Sequence, residues 1–386
     1  MTDLLRQEIA AAAHTIVVKV GTRILTTSEG QLDQARVATL AEELHQVMQA
    51  GRRVALVSSG AVGAGMGRLA LKKRPTDLAE LQAVAAVGQT SLVEAYDRTL
   101  RSHGRHAAQI LLIADDLDNR TRYLNIRNTI VTLMKFGAVP IINENDTVSV
   151  EELQTTFGDN DRLAAMVTNL IRAPLLVLLS DVEGLYDGDP ADPAARVVPT
   201  VTQLDESIWS LVRDRATGVS KGGMASKLEA ARVATSTGEN VIIASGKQPG
   251  NLMRILAGDV VGTLFVAQAE SIPSWKRWIG FTAQPRGKLL LDDGARQAVE
   301  TKGSSLLAIG IVDAQGTFRK GDVVALCDRG GREFARGLTN YSVADVTRIK
   351  GLKTDQIAAA LGHCPYQEVI HRDNLATGIG TRGQGG

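Results

Sequence analysis

The sequence predicts an α/β protein in which helices sandwich an open, mostly parallel sheet and a small β-barrel domain follows. Short β-branched runs alternate with longer Ala- and Leu-rich amphipathic stretches from residue 15 to about 265, the rhythm of parallel strands joined by helices. Most of these runs are apolar without alternation, as expected for strands buried on both faces. After about residue 270, short strand-like runs separated by Gly-containing turns indicate the small barrel.

Each strand of the predicted sheet is a short apolar run bounded by polar or glycine residues. The expected helices between them include 35–51, which ends at the capping Gly51, and 162–173. The six predicted strands are 15–20, 53–58, 108–113, 138–143, 174–180 and 240–245.

A change of composition near residues 270–284 predicts a domain boundary, because two of the three Trp residues and two Pro residues gather there. We expect a first domain over 1–275, a linker over 276–284, a barrel domain over 285–372 and a flexible Gly-rich tail over 373–386. Turns with the sequences AQG, RKGD and DRGG separate the strand-like runs of the barrel.

Composition excludes several classes of function. The 43 basic and 42 acidic residues give a formal net charge of +1, which provides no global field for nucleic acid or an anionic membrane. Two cysteines, Cys327 and Cys364, cannot form a disulfide framework or a four-cysteine zinc site. The N-terminal stretch is interrupted by charges, and no apolar run is long enough to span a bilayer. These features favour a cytoplasmic protein with no membrane partner.

The candidate site lies where the predicted strands end, since open parallel sheets bind ligands outside the carboxyl ends of their strands. Lys19 lies within the first strand, the second runs into SSGAVGAG (58–65), the fourth into NENDTV (143–148) and the fifth into Ser180-Asp181. Small and polar residues at one sheet edge are suited to phosphate and metal binding.

Simpler explanations stay open for each of these features taken alone. The Gly-rich stretch 58–65 could be a tight turn chosen for packing, Lys19 an edge lysine that reaches solvent, and Lys227 an exposed helix lysine. The run 159–161 could supply an ordinary helix N-cap, although a cap does not account for all three polar residues.

Standard nucleotide and hydrolase motifs do not fit the chain. The pairs Gly246-Lys247 and Gly287-Lys288 lack the Ser or Thr that completes a Walker loop, and GAGMGR does not complete GxGxxG. The string GVSKG (218–222) matches GxSxG, but it does not follow a strand, which disfavours a nucleophile elbow.

Six motifs, in this order, resemble the amino acid kinase family over residues 14 to 265, and most closely its bacterial members that act on glutamate. They are VVKVGT, SSGAVGAG, PIINENDTV, FGDNDRLAA, LLSDVEGLYDGDP and KGGMASK. Ser180 stands where threonine is common, which keeps the hydroxyl group. Residues 286–342 resemble a PUA domain, which many of those bacterial kinases carry after the kinase domain.

The resemblance implies an activity and several partners. ATP would phosphorylate the side-chain carboxylate of L-glutamate to give γ-glutamyl phosphate and ADP, the first step of L-proline biosynthesis. Mg²⁺ would accompany the nucleotide without dedicated protein ligands. The resemblance further implies feedback inhibition by L-proline, a homo-oligomer (dimer or tetramer), and a possible complex with the glutamyl phosphate reductase.

The resemblance also implies roles for matched residues. Lys19 and Lys227 would act on the transferring phosphoryl group from opposite sides, and Asp161 would hold both lysines in place. Asp146 would receive the α-ammonium group of glutamate. The other matched substrate contacts are Ser59, Asn143 and Asn160. The matched ATP-binding residues are Lys19, Ser180, Asp181, Lys221, Gly222, Gly223, Met224, Ala225, Ser226 and Lys227.

Two alternatives are weighed against glutamate phosphorylation. A kinase of the same superfamily could act on aspartate, N-acetylglutamate, carbamate or a nucleotide, because the phosphate-side motifs discriminate poorly among these substrates. The C-terminal domain could instead bind RNA, but acidic residues are interleaved with its Arg and Lys residues and no continuous basic patch is predicted. These features disfavour RNA as a partner, and RNA binding through the C-terminal domain stays open as an alternative.

Overall fold

The chain forms two compact units, residues 1–271 and 272–386. The structure, a computed structural model, describes residues 3–148, 160–212, 223–268, 276, 278–363 and 366–377. Each unit has its own cluster of buried apolar side chains, so each is described by itself.

The first unit is built on an eight-stranded sheet in which six neighbouring strands are parallel. The spatial order is β3-β4-β2-β1-β5-β7-β8-β6, with β8 antiparallel to β7 and parallel to β6. The strands are β1 (Thr15–Val20), β2 (Arg53–Ser58), β3 (Ala107–Leu112), β4 (Val139–Glu144), β5 (Leu175–Ser180), β6 (Thr200–Val201), β7 (Asn240–Ser245) and β8 (Thr263–Phe265). The predicted α/β fold class and its mostly parallel sheet are confirmed.

All six predicted strands are present within one residue of their expected bounds. Each of β1 and β5 is buried at every position, because each lies between two other strands and beneath helices on both faces. The short strands β6 and β8 were not anticipated. With two and three residues, they are too short to show a hydrophobic period.

Helices cover both faces of this sheet in two layers. One layer contains α1, α3, α5 and α11, and the other contains α7, α8 and α10. The helices of the first unit are α1 (Leu4–Ala12), α2 (Thr22–Leu25), α3 (Gln34–Gln49), α4 (Ala61–Arg68), α5 (Leu78–Ser102), α6 (Ala114–Asp118), α7 (Arg120–Lys135), α8 (Asn160–Ile171), α9 (Glu206–Ser210), α10 (Met224–Thr235) and α11 (Asn251–Leu256).

Alternation along β1 divides its side chains between the two layers. Ile16, Val18 and Val20 belong to the core cluster that includes residues of α3, α5 and α11. Lys19 therefore faces the opposite layer, where α8 packs against β1. The single charged residue of the strand is thus directed towards the start of α8.

Helices α4 and α5 approach so closely that glycine is required at their contact. A Cβ atom added at Gly65 would lie 1.9 Å from the carbonyl oxygen of Val84, and one added at Gly88 would lie 1.7 Å from that of Ala61. Because α4 begins directly after β2, this contact fixes how the long helix α5 crosses the end of that strand.

The second unit is a small five-stranded sheet with short helices, as expected for the C-terminal domain. Its strand order is β10-β9-β11-β12-β13, antiparallel except for the pair β9 and β11. The elements are β9 (Gly287–Leu291), α12 (Asp293–Lys302), β10 (Ile311–Gly316), β11 (Val323–Cys327), β12 (Glu333–Leu338), α13 (Val343–Ile349), α14 (Ile357–Leu361) and β13 (Leu375–Thr377).

Two segments of the second unit differ from the linker and the tail that we expected. Residues 278–282, within the expected linker 276–284, form a π-helix in which Trp278 and Ile279 are buried and which packs against β12 and β13. Within the expected tail 373–386, Leu375–Thr377 pairs with β12, which satisfies its backbone groups and buries Leu375. The rest of that tail, 378–386, lies outside the described residues.

Candidate functional site

The carboxyl ends of the parallel strands bring most of the predicted site residues together. Lys19 lies near the end of β1, Ser59 follows β2, Asn143 lies near the end of β4, and Ser180 ends β5. Two helices on the same face complete the set, because α8 starts at Asn160 and α10 starts at Met224. This is the edge at which an open parallel sheet binds its ligands.

One buried carboxylate bridges the two lysines. The Nζ atom of Lys19 lies 2.6 Å from Oδ1 of Asp161, and the Nζ atom of Lys227 lies 2.9 Å from Oδ2 of the same residue. The side chain of Asp161 is fully buried, and those of Lys19 and Lys227 are 5% and 7% exposed. One carboxylate thus holds two ammonium groups close together in a desolvated site. Positive groups placed in this way can contact a bound anion.

A second cluster joins the ends of β2 and β4 through the first residue of α8. The Nδ2 atom of Asn160 donates to Oγ of Ser59 at 2.7 Å and to Oδ1 of Asn143 at 2.9 Å. Asn160 is 2% exposed, and its Oδ1 accepts no hydrogen bond from any described residue. A buried carbonyl oxygen without a donor provides an acceptor for a ligand N–H or hydroxyl group.

Asp146, just beyond β4, is also buried at this edge. Gln89 of α5 donates through Nε2 to Oδ2 of Asp146 and to the backbone oxygen of Glu144, both at 3.5 Å. Gln89 was not predicted as a site residue, because one glutamine in a long helix belongs to no motif. Gln89 is one of the few polar side chains of α5 that are buried, and its burial cannot be predicted from the sequence.

The residues after β5 form a third, more exposed group. Ser180 donates through Oγ to Oδ1 of Asp181 at 3.2 Å, and Arg23 of α2 pairs with Oδ2 of Asp181 at 2.8 Å. Burial alone would raise the pKa of Asp181. The hydrogen bond and charge of Arg23, together with hydrogen bonds from the Asp181 backbone and Ser180, outweigh burial, so the net pKa lies below the ordinary value. Arg23 was not predicted either, although it lies only four residues beyond Lys19 in the sequence.

The start of α10 presents small residues to this edge. Gly223 precedes the helix without a side-chain cap, Met224 and Ala225 are half-buried, and Oγ of Ser226 lies 3.5 Å from Oδ2 of Asp161. Backbone N–H groups in an uncapped first turn can bind an anion. Lys221 and Gly222, the other predicted residues of this stretch, lie outside the described residues, as does Asp159.

The Gly-rich stretch after β2 forms a turn and the start of α4. Gly60 has φ of 109°, a conformation that favours glycine, and α4 begins immediately after it without a side-chain cap. The stretch therefore serves packing, through Gly65, and also leaves backbone donors near Ser59. The packing explanation therefore holds at Gly65, and anion binding by the stretch 58–65 stays a prediction.

Among the described residues, no group of three or more His, Cys, Asp or Glu side chains is arranged to hold a metal ion. No helix formed by those residues is long and apolar enough to cross a membrane.

Comparison with known families matches both units. Residues 14–245 match the amino acid kinase family, and residues 287–361 match the PUA domain. The first match covers more than half of the chain and includes every residue of the clusters described above. The second lies within the small C-terminal sheet unit.

Curated relatives match almost the whole chain. A glutamate 5-kinase of Rhodopirellula baltica is 50% identical over 97% of this chain and 96% of its own length. Glutamate 5-kinases of Syntrophotalea carbinolica and Moorella thermoacetica are each 44% identical, over 96% and 94% of this chain and 99% and 96% of their own lengths. A solved UMP kinase from Bacillus anthracis aligns with 66% of this chain and 97% of its own, at 15% identity and a TM-score of 0.46.

Proposed function

Because the chain belongs to the amino acid kinase family and is a kinase that uses ATP, we propose that it phosphorylates the side-chain carboxylate of L-glutamate. The observation that carries this proposal is the buried arrangement of Lys19, Asp161 and Lys227, together with the polar cluster beside it. The names of the relatives support the choice of substrate, and the geometry supports the proposed catalytic roles.

The proposed reaction needs no general base from the protein. A side-chain carboxylate with an ordinary pKa of about 4.3 is ionised at neutral pH and is already a nucleophile. One of its oxygens bonds to the γ-phosphorus of ATP as the bond to the β–γ bridging oxygen breaks, which gives γ-glutamyl phosphate and ADP. The protein must therefore position the two reactants and stabilise charge on the transferring group.

The two lysines would provide that stabilisation. Their ammonium groups lie on the two oxygens of Asp161, so one carboxylate fixes both positive charges before substrate arrives. Preorganised charges in a desolvated site stabilise a transition state without reorganising. Asp161 then acts as a positioning residue, and Lys19 and Lys227 as the catalytic ones.

The amino acid would bind beside this group. Asp146 would accept the α-ammonium group, since a buried carboxylate is the natural partner of a desolvated cation. The unfilled acceptor on Asn160 and the hydroxyl of Ser59 would bind other polar groups of the substrate, with Asn143 holding Asn160 in place.

ATP would lie along the ends of β1 and β5 and the start of α10. Lys19, Ser180, Asp181 and residues 223–227 lie on that side of the site, and the backbone donors at the start of α10 suit phosphate oxygens. Mg²⁺ would bind mainly to the phosphates and water, which requires no protein cage, and would neutralise charge on the β- and γ-phosphates.

We further propose that the product feeds L-proline synthesis and that L-proline inhibits the enzyme at or over the amino-acid site. A homo-oligomer, and delivery of the unstable acyl phosphate to its reductase, are part of the same proposal. The names of the relatives support the glutamate step of this proposal.

The test is acyl-phosphate trapping with hydroxylamine. Purified protein is incubated with ATP, Mg²⁺ and, in parallel, L-glutamate, L-aspartate or N-acetyl-L-glutamate. We expect hydroxamate with L-glutamate only, and less of it when L-proline is added. Hydroxamate with another acceptor, or none with L-glutamate while ATP still binds, would reject the glutamate assignment.

A further inference from the structure

A cavity lies at the edge of the large sheet opposite the candidate site, where the parallel strands begin. It holds about 150 Å³ between the C-terminal ends of α3 and α7 and the first residues of β2. Met48, Val54 and Met134 form its apolar part, and Arg52, Arg53 and Arg105 form its charged part. Gly51, Gly137 and Ala138 complete the lining. No part of the proposed catalytic site contributes to it.

The charge around this cavity is unbalanced. None of its nine lining residues is acidic. In the ranges that the structure describes, the guanidinium groups of Arg53 and Arg105 form no hydrogen bond and no ion pair. Like charges gathered without a counter-ion repel one another, and a bound anion removes that repulsion.

The position of Arg105 brings its charge to the cavity itself. A Cβ atom added at Gly137 would lie 3.1 Å from Nη1 of Arg105, so the guanidinium group rests against the cavity lining. Gly137 has φ of 74°, and with no side chain it leaves that group open to the cavity. The positive charge of Arg105 also contributes to lowering the pKa of His45, after burial and His103.

An ordinary structural role accounts for only one of the three arginines. Arginines often bind the free carbonyl groups at helix C-termini. Arg52 does so: its Nη2 donates to the backbone oxygen of Ala10 at 3.0 Å and to that of Leu256 at 3.5 Å. Arg53 and Arg105 bind no helix carbonyl, so helix capping leaves two positive charges unexplained.

We propose that this cavity binds a small phosphate-bearing anion. Guanidinium groups match the geometry of phosphate oxygens and form strong, charge-assisted hydrogen bonds with them. The volume is below that of a drug-sized ligand site, which restricts the occupant to inorganic phosphate or a short phosphate ester. Because the cavity lies at the sheet edge opposite the catalytic residues, the anion binds at a separate site.

Equilibrium dialysis of the full chain against radiolabelled inorganic phosphate tests this proposal. The dialysis contains a saturating non-hydrolysable ATP analogue with Mg²⁺, so that the catalytic phosphate site is filled. A parallel arm uses labelled glycerol 3-phosphate and separates a phosphate ester from free phosphate. The test variant is Arg53→Gln/Arg105→Gln. The matched control is Arg101→Gln, which removes an exposed arginine that pairs with Asp97 and does not line the cavity.

We expect saturable binding of at least one anion, weakened at least about tenfold by the double variant and unchanged by the control, since charge-assisted hydrogen bonds contribute on that scale. Hydroxamate formation from L-glutamate should stay normal in the double variant, which shows that it is folded. Absence of binding by the wild-type chain, or equal binding by the double variant, would overturn the proposal. Neither result would bear on glutamate phosphorylation, which is measured separately.

Discussion

At the scale of single residues, Asp161 binds both lysines of the site and has no access to solvent. One of its side-chain oxygens contacts Lys19 of β1, and the other contacts Lys227 of α10. A residue so placed sets the separation of the two ammonium groups, and that separation determines how they could act on one phosphoryl group.

Replacing Lys227 with Ala should lower kcat at least about a hundredfold, because preorganised charges contribute on that scale to a transition state. The fold should change little, since Lys19 still pairs with Asp161. Steady-state kinetics and circular dichroism measure the two effects. Lys135→Ala, which removes an exposed lysine from the last turn of α7, is the matched control. Turnover in Lys227→Ala close to that of the control would remove Lys227 from the mechanism.

Replacing Asp146 with Ala should raise KM for L-glutamate strongly and leave KM for ATP nearly unchanged. The buried carboxylate is proposed to accept the α-ammonium group, and the nucleotide side of the site is formed by other elements. Initial rates with each substrate varied in turn give the two constants. Equal effects on both constants would indicate a structural role for Asp146.

At the scale of elements, the contact of α4 with α5 places the amino-acid side of the site. Helix α4 starts after Ser59 and Gly60, and α5 carries Gln89, which binds Asp146. The two helices are held together at Gly65 and Gly88, where backbone nearly touches backbone. Residues of the site on separate elements are thus linked through a contact made of glycines.

Gly65→Ala should lower the stability of the chain by about 1–3 kcal/mol or more, because its Cβ would overlap the carbonyl oxygen of Val84. Gly67→Ala on the same helix is the matched control. Its Cβ meets only Gln31 at 3.7 Å, and alanine is the better helix former, so stability should hold or rise. Thermal unfolding of both variants measures the difference. Equal melting temperatures for the Gly65→Ala and Gly67→Ala variants would show that the contact between α4 and α5 does not require glycine at position 65.

Elements differed in how well the sequence predicted them. Strands such as β1 and β5 are continuous apolar runs and were located within one residue, whereas β6 and β8 are too short to leave a pattern. The π-helix Trp278–Thr282 was predicted to be part of a linker, because Pro and Trp residues in that region indicated a domain boundary. The burial of Trp278 could not be predicted from the sequence.

The residues of the site also differ in how well the sequence predicted them. Lys19, Asp161 and Lys227 stand in motifs that could be found by resemblance, and the structure places them in direct contact. Gln89 and Arg23 could not be found, because their only distinction is a partner far along the chain: Gln89 contacts Asp146 57 residues away, and Arg23 contacts Asp181 158 residues away. Such pairs depend on the tertiary fold.

At the scale of the whole molecule, stability should fall as the pH drops through the range in which His45 titrates. His45 is buried on α3, stacks on His103 with ring centroids 3.9 Å apart, and lies near Glu42 and Arg105. Burial, then the charges of His103 and Arg105, lower its pKa against the opposing effect of Glu42. At a pH between the lowered pKa of His45 in the folded chain and its ordinary pKa in the unfolded chain, His45 is therefore protonated only in the unfolded chain. Stability is present above about pH 6.5 and declines below it.

Calorimetry at pH 7.5 and pH 5.5 tests this expectation. His45→Gln should lose less melting temperature between the two pH values than the wild-type chain does. His106→Gln, which alters an exposed histidine, should behave as wild type. An identical pH dependence in His45→Gln and wild type would show that His45 does not control acid stability.

The pairing of β6 with β8 has a consequence for synthesis on the ribosome. Val201 of β6 pairs with Phe265, the last residue of β8, and β8 also pairs with β7. The sheet of the first unit is therefore incomplete until β8 has been synthesised. Every strand of this sheet precedes the second unit in the chain. The nascent first unit can complete its sheet before the C-terminal unit has been fully synthesised, so that the chain folds one unit at a time.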